Sequence, residues 1–285
     1  MKVPLTIRDF LDRAVTVYGD RVAVVDEPDQ PAPSWGEVSF GELAVRARAE
    51  AVALDRLGVG QGERVAMVSQ NAARLLASFW GVGGFGRVFV PINFRLHADE
   101  VSYIVEHSGA SVLIVDPELE GALAGVDCKH RFVIGAESDT ELFGVDASFG
   151  ATAVEPEPWE PDEDAAATIN YTSGTTARPK GVQMTHRSLW LNATTFGWQA
   201  GINDRDVYLH TLPMFHCNGW GMPFATCGMG VNQVVLRKVD GHEILHRVEQ
   251  HGVTVMCAAP AVVAAILDAA ATWDGEIPGA GTTRI

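Results

Sequence analysis

Short apolar runs alternate with amphipathic stretches along almost all of this 285-residue chain, and that alternation limits the folds open to it. Residues 64–69, 87–91, 111–115, 207–211, 232–236 and 253–257 read as strands. Residues 72–80 and 97–107 read as helices. Thr6 with Asp9 and Ser39 with Glu42 have the spacing of capping boxes, which open helices. After the first box, Ile7, Phe10, Leu11 and Ala14 fall on one helical face. The helix after the second should stop near Gly58. Neighbouring parallel strands need a crossover, usually a helix. The expected fold is therefore α/β, with mostly parallel sheets packed with helices on both faces.

The segment 155–164 holds six acids and three prolines and is a loop by composition. It separates an expected first α/β subdomain, 1–164, from a second, 165–285. Residues 282–285 follow Gly279, Ala280 and Gly281 and read as the opening of a further strand, so the second subdomain reads as incomplete at its C-terminus.

Hydrophobic residues make up 47% of the chain and the net charge is −15. The first figure allows a substantial core. The second argues against nucleic acid or an anionic membrane as the main partner. Any polyphosphate site must then build its own local positive field. The four cysteines, Cys128, Cys217, Cys227 and Cys257, form no CxxC pair, which points to free thiols in a reducing, cytoplasmic compartment. Near the N-terminus Arg8, Asp9, Asp12 and Arg13 stand where a secretory apolar run would be needed. Residues 252–267 are too short for a membrane span and contain Pro260. No transmembrane segment is expected, and the oligomeric state is open.

The site signal is the string 171–182, Tyr-Thr-Ser-Gly-Thr-Thr-Ala-Arg-Pro-Lys-Gly-Val. An apolar strand at 165–169 leads into it. Every residue from Thr172 to Ala177 is small or hydroxylated, and Pro179, Lys180 and Gly181 come just after. Such a loop wraps a polyphosphate: Gly174 admits close backbone approach, free N–H groups face oxygens, and Lys180 adds full positive charge. The hydroxyls of Thr172, Ser173, Thr175 and Thr176 can bond phosphate oxygens or magnesium. The pattern is not that of Walker A, which has four residues between its first glycine and Gly-Lys-Ser/Thr; here Pro179 precedes Lys180 and Gly181 follows it.

This string resembles the phosphate loop of the adenylate-forming (AMP-binding) superfamily, which includes acyl-CoA synthetases, aryl-CoA ligases and luciferases. The family pattern has glycine where this chain has Ala177. If that position needs a positive φ, alanine costs about 1 kcal/mol and stiffens the loop. The resemblance runs from about Phe10 to the end and covers roughly the first half of a family member. It implies the N-terminal part of the family's large domain. The implied reaction is ATP-dependent activation of a carboxylic acid, a medium- or long-chain fatty acid by expectation, to acyl-AMP and then transfer to coenzyme A. Implied partners are ATP, Mg2+, coenzyme A and the small-molecule acid. Implied binding residues are Thr172, Ser173, Gly174, Thr175, Thr176 and Lys180, with Thr172 also on the metal. The family's Tyr-Gly-x-Thr-Glu motif, ribose-binding aspartate, hinge and small lid domain with its catalytic lysine have no match in this sequence. Lys180 is not that lysine. The 285-residue chain alone is therefore expected not to turn over.

A second motif runs from Pro213 through Met214, Phe215, His216, Cys217, Asn218 and Gly219 to Trp220. It follows the strand at 207–211, at the strand end where α/β folds bind ligands. His216 and Trp220, four apart, can share one face of a helical turn. By its residues it reads equally as a core aromatic cluster with a satisfied histidine. The resemblance favours an acyl site: His216 would orient the substrate as the catalytic residue. Asn218 and Gly219 would line the pocket, and Trp220 would gate it.

Two other patterns compete. Gly81, Gly83 and Gly86 match GxGxxG, but a helix precedes them and a strand follows, the reverse of a dinucleotide site. His242, Glu243 and His246 match the HExxH pattern of zinc peptidases. His251 is one residue short of the extended third-ligand spacing. Ile244, Leu245 and Val248 form an apolar stripe that explains the helix without a metal. A non-catalytic binding module is the third class of reading.

Overall fold

In the computed structural model, residues 3–144, 155–172 and 178–285 are described. Helix α1 (Arg8–Tyr18) leads to strands β1 (Val22–Val25) and β2 (Glu37–Ser39), then helix α2 (Phe40–Arg56). Strand β3 (Arg64–Val68), helix α3 (Ala73–Gly81) and strand β4 (Val88–Ile92) follow, then α4 (Ala98–Ser108) and β5 (Ala110–Val115). Next come α5 (Glu120–Leu123), β6 (His130–Val133) and α6 (Ala136–Phe143). Strands β7 (Ala166–Thr172) and β8 (Lys180–Thr185) precede helix α7 (His186–Gln199) and strand β9 (Val207–His210). A four-residue turn α8 (Cys217–Trp220) and helix α9 (Met222–Met229) come before β10 (Asn232–Val235), α10 (Gly241–His251), β11 (Val255–Met256) and α11 (Pro260–Ala270).

The strands make two sheets, ordered β11-β9-β10-β1-β2 and β6-β5-β3-β4-β7-β8. Pairing is parallel except at β1–β2 and β7–β8. The sheets do not divide at residue 164. β1 and β2 join the sheet of β9–β11, because β1 pairs in parallel with β10. β7 and β8 extend the sheet of β3–β6, because β7 pairs with β4. The acidic segment 155–164 thus lies between β6 and β7, which belong to the same sheet.

Alternation along β3 explains the layering. Val65 and Met67 enter a core shared by both sheets with α1, α2, α3 and α9, whereas Ala66 and Val68 enter a second core with α4 and α5. A strand covered on both faces is apolar throughout, as a central parallel strand should be. The outer face of the other sheet packs Leu209, Val234 and Leu236 on Ile244 and Val248 of α10.

The Ser39–Glu42 capping box forms in full. At Thr6 only half of it forms: Asp9 accepts from the Thr6 N–H at 2.9 Å, but the Thr6 hydroxyl also turns to Asp9. The glycine pattern at 81–86 is a helix-to-strand turn, with Gly86 at φ 82° just before β4. Residues 282–285 meet the first sheet through a bridge from Arg284 to Val255. All four cysteines are free. Among the described residues no helix is long and apolar enough to cross a membrane.

Three buried titratable groups set an acid and an alkaline flank for stability. Burial holds His186 and His210 down at about 4 against an ordinary 6.5. Their unfolded forms bind more protons between those values, so their contribution is full above pH 6.5 and is lost as pH falls toward 4. Glu50 runs the other way. Burial pushes it from 4.5 up to about 8, against the opposing Ser78 hydroxyl bond and the Arg87 charge. Its contribution is full below pH 4.5 and is lost as pH rises through 8. Glu50→Gln keeps the acceptor that Ser78 uses at 2.8 Å. Thermal melts should give the variant a higher midpoint than wild type near about pH 9 and no gain near about pH 5. Parallel pH profiles would contradict this.

Candidate functional site

Residues 167–170 of β7 are buried, Tyr171 is half-buried and Thr172 is exposed. The strand therefore delivers Thr172 from the core to the surface at its C-terminal end. Lys180 is the first residue of β8 and the register partner of Thr172. Ladder pairing thus fixes both flanks of the segment between them. Ser173, Gly174, Thr175 and Thr176, with Ala177, lie outside the described residues. Strand β8 carries no clear alternation in the sequence and is visible only through its pairing.

The flanks are tied to α4. The Tyr171 hydroxyl meets His107 Nδ1 at 2.8 Å, and His107 stacks on Tyr103. The Arg178 guanidinium lies 5.3 Å from the Tyr103 ring centroid. Burial, and after it the neighbouring Tyr103, pushes the Tyr171 phenol up, so it stays neutral near pH 7. Among the described residues no acid pairs with Lys180.

The second motif begins where β9 ends. Asn71, from the β3–α3 connection, holds it by three hydrogen bonds. Its amide nitrogen donates to the carbonyls of His210 at 3.2 Å and Leu212 at 3.0 Å. Its oxygen accepts from the Met214 N–H at 2.9 Å. Phe215 then packs edge-on against Phe94, and His216 and Cys217 stand exposed.

The expected helical turn is not right-handed. Cys217, Asn218 and Trp220 have φ of 44°, 44° and 61°, and Gly219 and Gly221 lie at 54° and 76°. A non-glycine residue in this region costs about 1–2 kcal/mol, so something must hold the turn. Asn218 is fully buried, and its amide donates to the Thr168 hydroxyl of β7 at 2.9 Å. Gly219 N–H donates to the His216 carbonyl at 2.9 Å and Gly221 N–H to that of Asn218 at 3.0 Å. His216 and Trp220 consequently do not share a helical face in the way i and i+4 spacing suggests. Trp220 is exposed and meets the Phe196 ring edge-on at 6.3 Å. Asn218 and Gly219 are buried beneath this turn.

The two motifs meet. Tyr171, Thr172 and Pro179 line one cavity of about 350 Å³ together with Pro213, Phe215 and His216. Asn93, Arg95 and Glu100 complete part of its wall. It opens beyond the C-terminal ends of β4, β7 and β9. A larger cavity of about 720 Å³ is lined by Gln61, Arg64, Trp159 and Glu160 among others. It lies toward the starts of β3 and β4, the end where parallel sheets do not bind ligands. Tyr171 and Gly181 of the loop string border it, but none of the expected binding residues Thr172, Lys180, His216, Asn218, Gly219 and Trp220 lines it. The smaller cavity is the better candidate. Arg95 and Asn71 escape a reading by motif, but both directly follow parallel strands, and that position is the signal that could have found them.

The HExxH residues are spent elsewhere. His242 stacks on Trp273 and His246 meets the same ring at 4.8 Å. Glu243 pairs with Arg247 at 2.5 Å. Ile244, Leu245 and Val248 are buried, as the stripe predicts. Among the described residues no three His, Cys, Asp or Glu side chains are grouped to hold a metal ion.

Mostly parallel sheets, a hydroxyl- and lysine-bearing connection at a strand end, and a histidine segment across the cavity define an adenylate-forming architecture. The profile of the AMP-binding enzyme family matches residues 11–279, and the chain belongs to that family. It is 34% identical to the peroxisomal acetate/butyrate–CoA ligase AAE7 of Arabidopsis thaliana, covering 91% of this chain and 48% of that protein. It is also 34% identical to the long-chain-fatty-acid–CoA ligase of Thermus thermophilus, covering 94% of this chain and 50% of that protein. The o-succinylbenzoate CoA synthetase of Bacillus subtilis, solved with its acyl-adenylate intermediate, superposes with a TM-score of 0.76. Its sequence is 27% identical, covering 91% of this chain and 50% of that one. The chain thus spans about half the length of the curated relatives it matches.

Proposed function

We propose that this chain supplies the phosphate-loop half of an ATP-dependent acyl-CoA ligase. The observation that carries the reading is the shared cavity: Thr172, from the phosphate-loop flank, and His216, from the second motif, both line it. A carboxylate resists nucleophiles because of its charge. Its oxygen attacks the α-phosphorus of ATP, a P–O bond forms, and the bond to the β-phosphate breaks as pyrophosphate leaves. The thiol sulfur of coenzyme A then attacks the acyl carbon, its proton goes to solvent, and AMP departs with the electron pair of the acyl C–O bond.

In the first step this chain's residues position groups and neutralise charge. Lys180 and the backbone of Ser173, Gly174, Thr175 and Thr176 would hold the β- and γ-phosphates. Thr172, exposed at the strand end, fits as a hydroxyl ligand for Mg2+, which when bound supplies further neutralisation of phosphate charge. Arg95 adds positive charge to the same cavity. His216 would orient the acid and its adenylate, with Asn218 and Gly219 shaping the turn beneath it. Trp220 would gate the acyl chain, which favours a medium- or long-chain acid. The free thiols support a cytoplasmic setting. Residues 1–285 alone would release little pyrophosphate, since the family's second magnesium ligand, a glutamate, has no match among them.

The test is pyrophosphate release by a full-length version, with ATP and a panel of acids of graded chain length. Release should require both ATP and an acid, and Trp220→Ala should move the preferred length. No release with any acid of the panel would refute the reading.

A further inference from the structure

Residues 211–221 carry both His216 and Trp220, yet they run outside any strand or right-handed helix. Their position must come from what grips them. The far end is tied by Asn218 to Thr168 at 2.9 Å. The near end is held by Asn71, a single side chain that reaches over from the other sheet. Asn71 is buried, and all three of its bonds, to His210, Leu212 and Met214, fall within five residues of backbone. Met214 is fully buried and stands two residues before His216.

We propose that Asn71 is a positioning residue: it sets where His216 stands across the cavity from Thr172. The inference rests on the functional reading above. Replacing Asn71 removes partners from two carbonyls and one N–H at once, and buried backbone groups left without partners drive local rearrangement. A shift of about 1 Å at a reacting group can cost about 100-fold in rate. All three hydrogen bonds of Asn71 go to residues 210–214 and none to Thr172 or Lys180, so nucleotide binding should be spared.

Asn71→Asp is the sharpest probe. It keeps the side-chain shape and the acceptor for Met214, but sets a negative oxygen against the two carbonyls. In a full-length version, kcat for acid-dependent pyrophosphate release should fall about 100-fold, with KM for ATP held within about threefold. A second readout needs no turnover. Cys217 is the exposed thiol beside His216, with its Sγ 3.9 Å from His216 Nε2. In the 285-residue chain, N71D should raise the rate of Cys217 alkylation by iodoacetamide at least about threefold, read by peptide mass, and leave Cys128 and Cys257 unchanged. An unchanged kcat and an unchanged Cys217 rate in a folded variant overturn the proposal. So does a rise in KM for ATP that matches the fall in kcat, which would mark general damage. If N71D fails to fold, Asn71→Ser carries the same two readouts, and unfolding of both variants makes Asn71 a residue of global stability and ends the proposal. If the wild type releases no pyrophosphate with any acid, the functional reading has failed, and the alkylation rate alone decides whether Asn71 holds the segment.

Discussion

Lys180→Ala in a full-length version should lower kcat/KM for ATP in acid-dependent pyrophosphate release by about 100-fold, the usual cost of removing one preorganised charge at a transition state. Lys180 is exposed at the first position of β8, and ladder pairing with Thr172 fixes its backbone. Its loss changes local charge without opening the core, so thermal stability should stay within about 0.5 kcal/mol of wild type. Lys180→Arg restores the charge but not the compact ammonium, and should recover only part of the rate. Steady-state kinetics on the three proteins checks this. Equal kcat/KM for wild type and K180A would remove the lysine from the phosphate site.

The second large effect is on stability. Arg74→Ala should cost about 3–5 kcal/mol, because it strands buried carboxylates. Arg74 is fully buried in α3. Its Nε donates to Asp139 at 2.7 Å, and its Nη2 donates to the Pro33 carbonyl at 2.6 Å and also meets Asp139. Asp26 stands 3.7 Å from Nη1, an electrostatic contact too long for a hydrogen bond. Trp35 lies under the guanidinium, 4.9 Å from ring centroid to Cζ. Asp26 also accepts from the Ala73 N–H at 2.9 Å, so the cluster ties the end of β1 to the start of α3 and hence one sheet to the other. The double change Arg74→Met with Asp139→Leu removes the main charge pair together and should be milder than R74A alone. Denaturant melts decide it, and a loss below about 1 kcal/mol for R74A would contradict the buried-pair account.

Much of the architecture was legible because parallel strands covered on both faces are apolar throughout. The strands at 64–69, 87–91, 111–115, 207–211 and 232–236 all appear within a residue or two of the predicted limits. β8 was missed because its solvent-facing pattern is set by pairing with β7 rather than by burial. Sheet membership was also illegible: nothing local to β1 says that its partner is β10, more than two hundred residues away. The phosphate string and the Pro213–Trp220 motif could be read as separate signals. Their meeting at one cavity, and the left-handed turn at 217–221, come from tertiary pairing. Local periodicity predicts a right-handed turn there. The bond from Asn218 to Thr168 is a tertiary constraint that no spacing rule contains.

On the proposed reaction, the acid's own oxygen attacks the α-phosphorus of ATP. The most direct measurement is to run the full-length protein with a heavy-oxygen-labelled carboxylic acid, ATP and coenzyme A, and to weigh the products. Label should appear in AMP and not in pyrophosphate. Label in pyrophosphate or free phosphate, or label retained wholly by the acyl product, would contradict it.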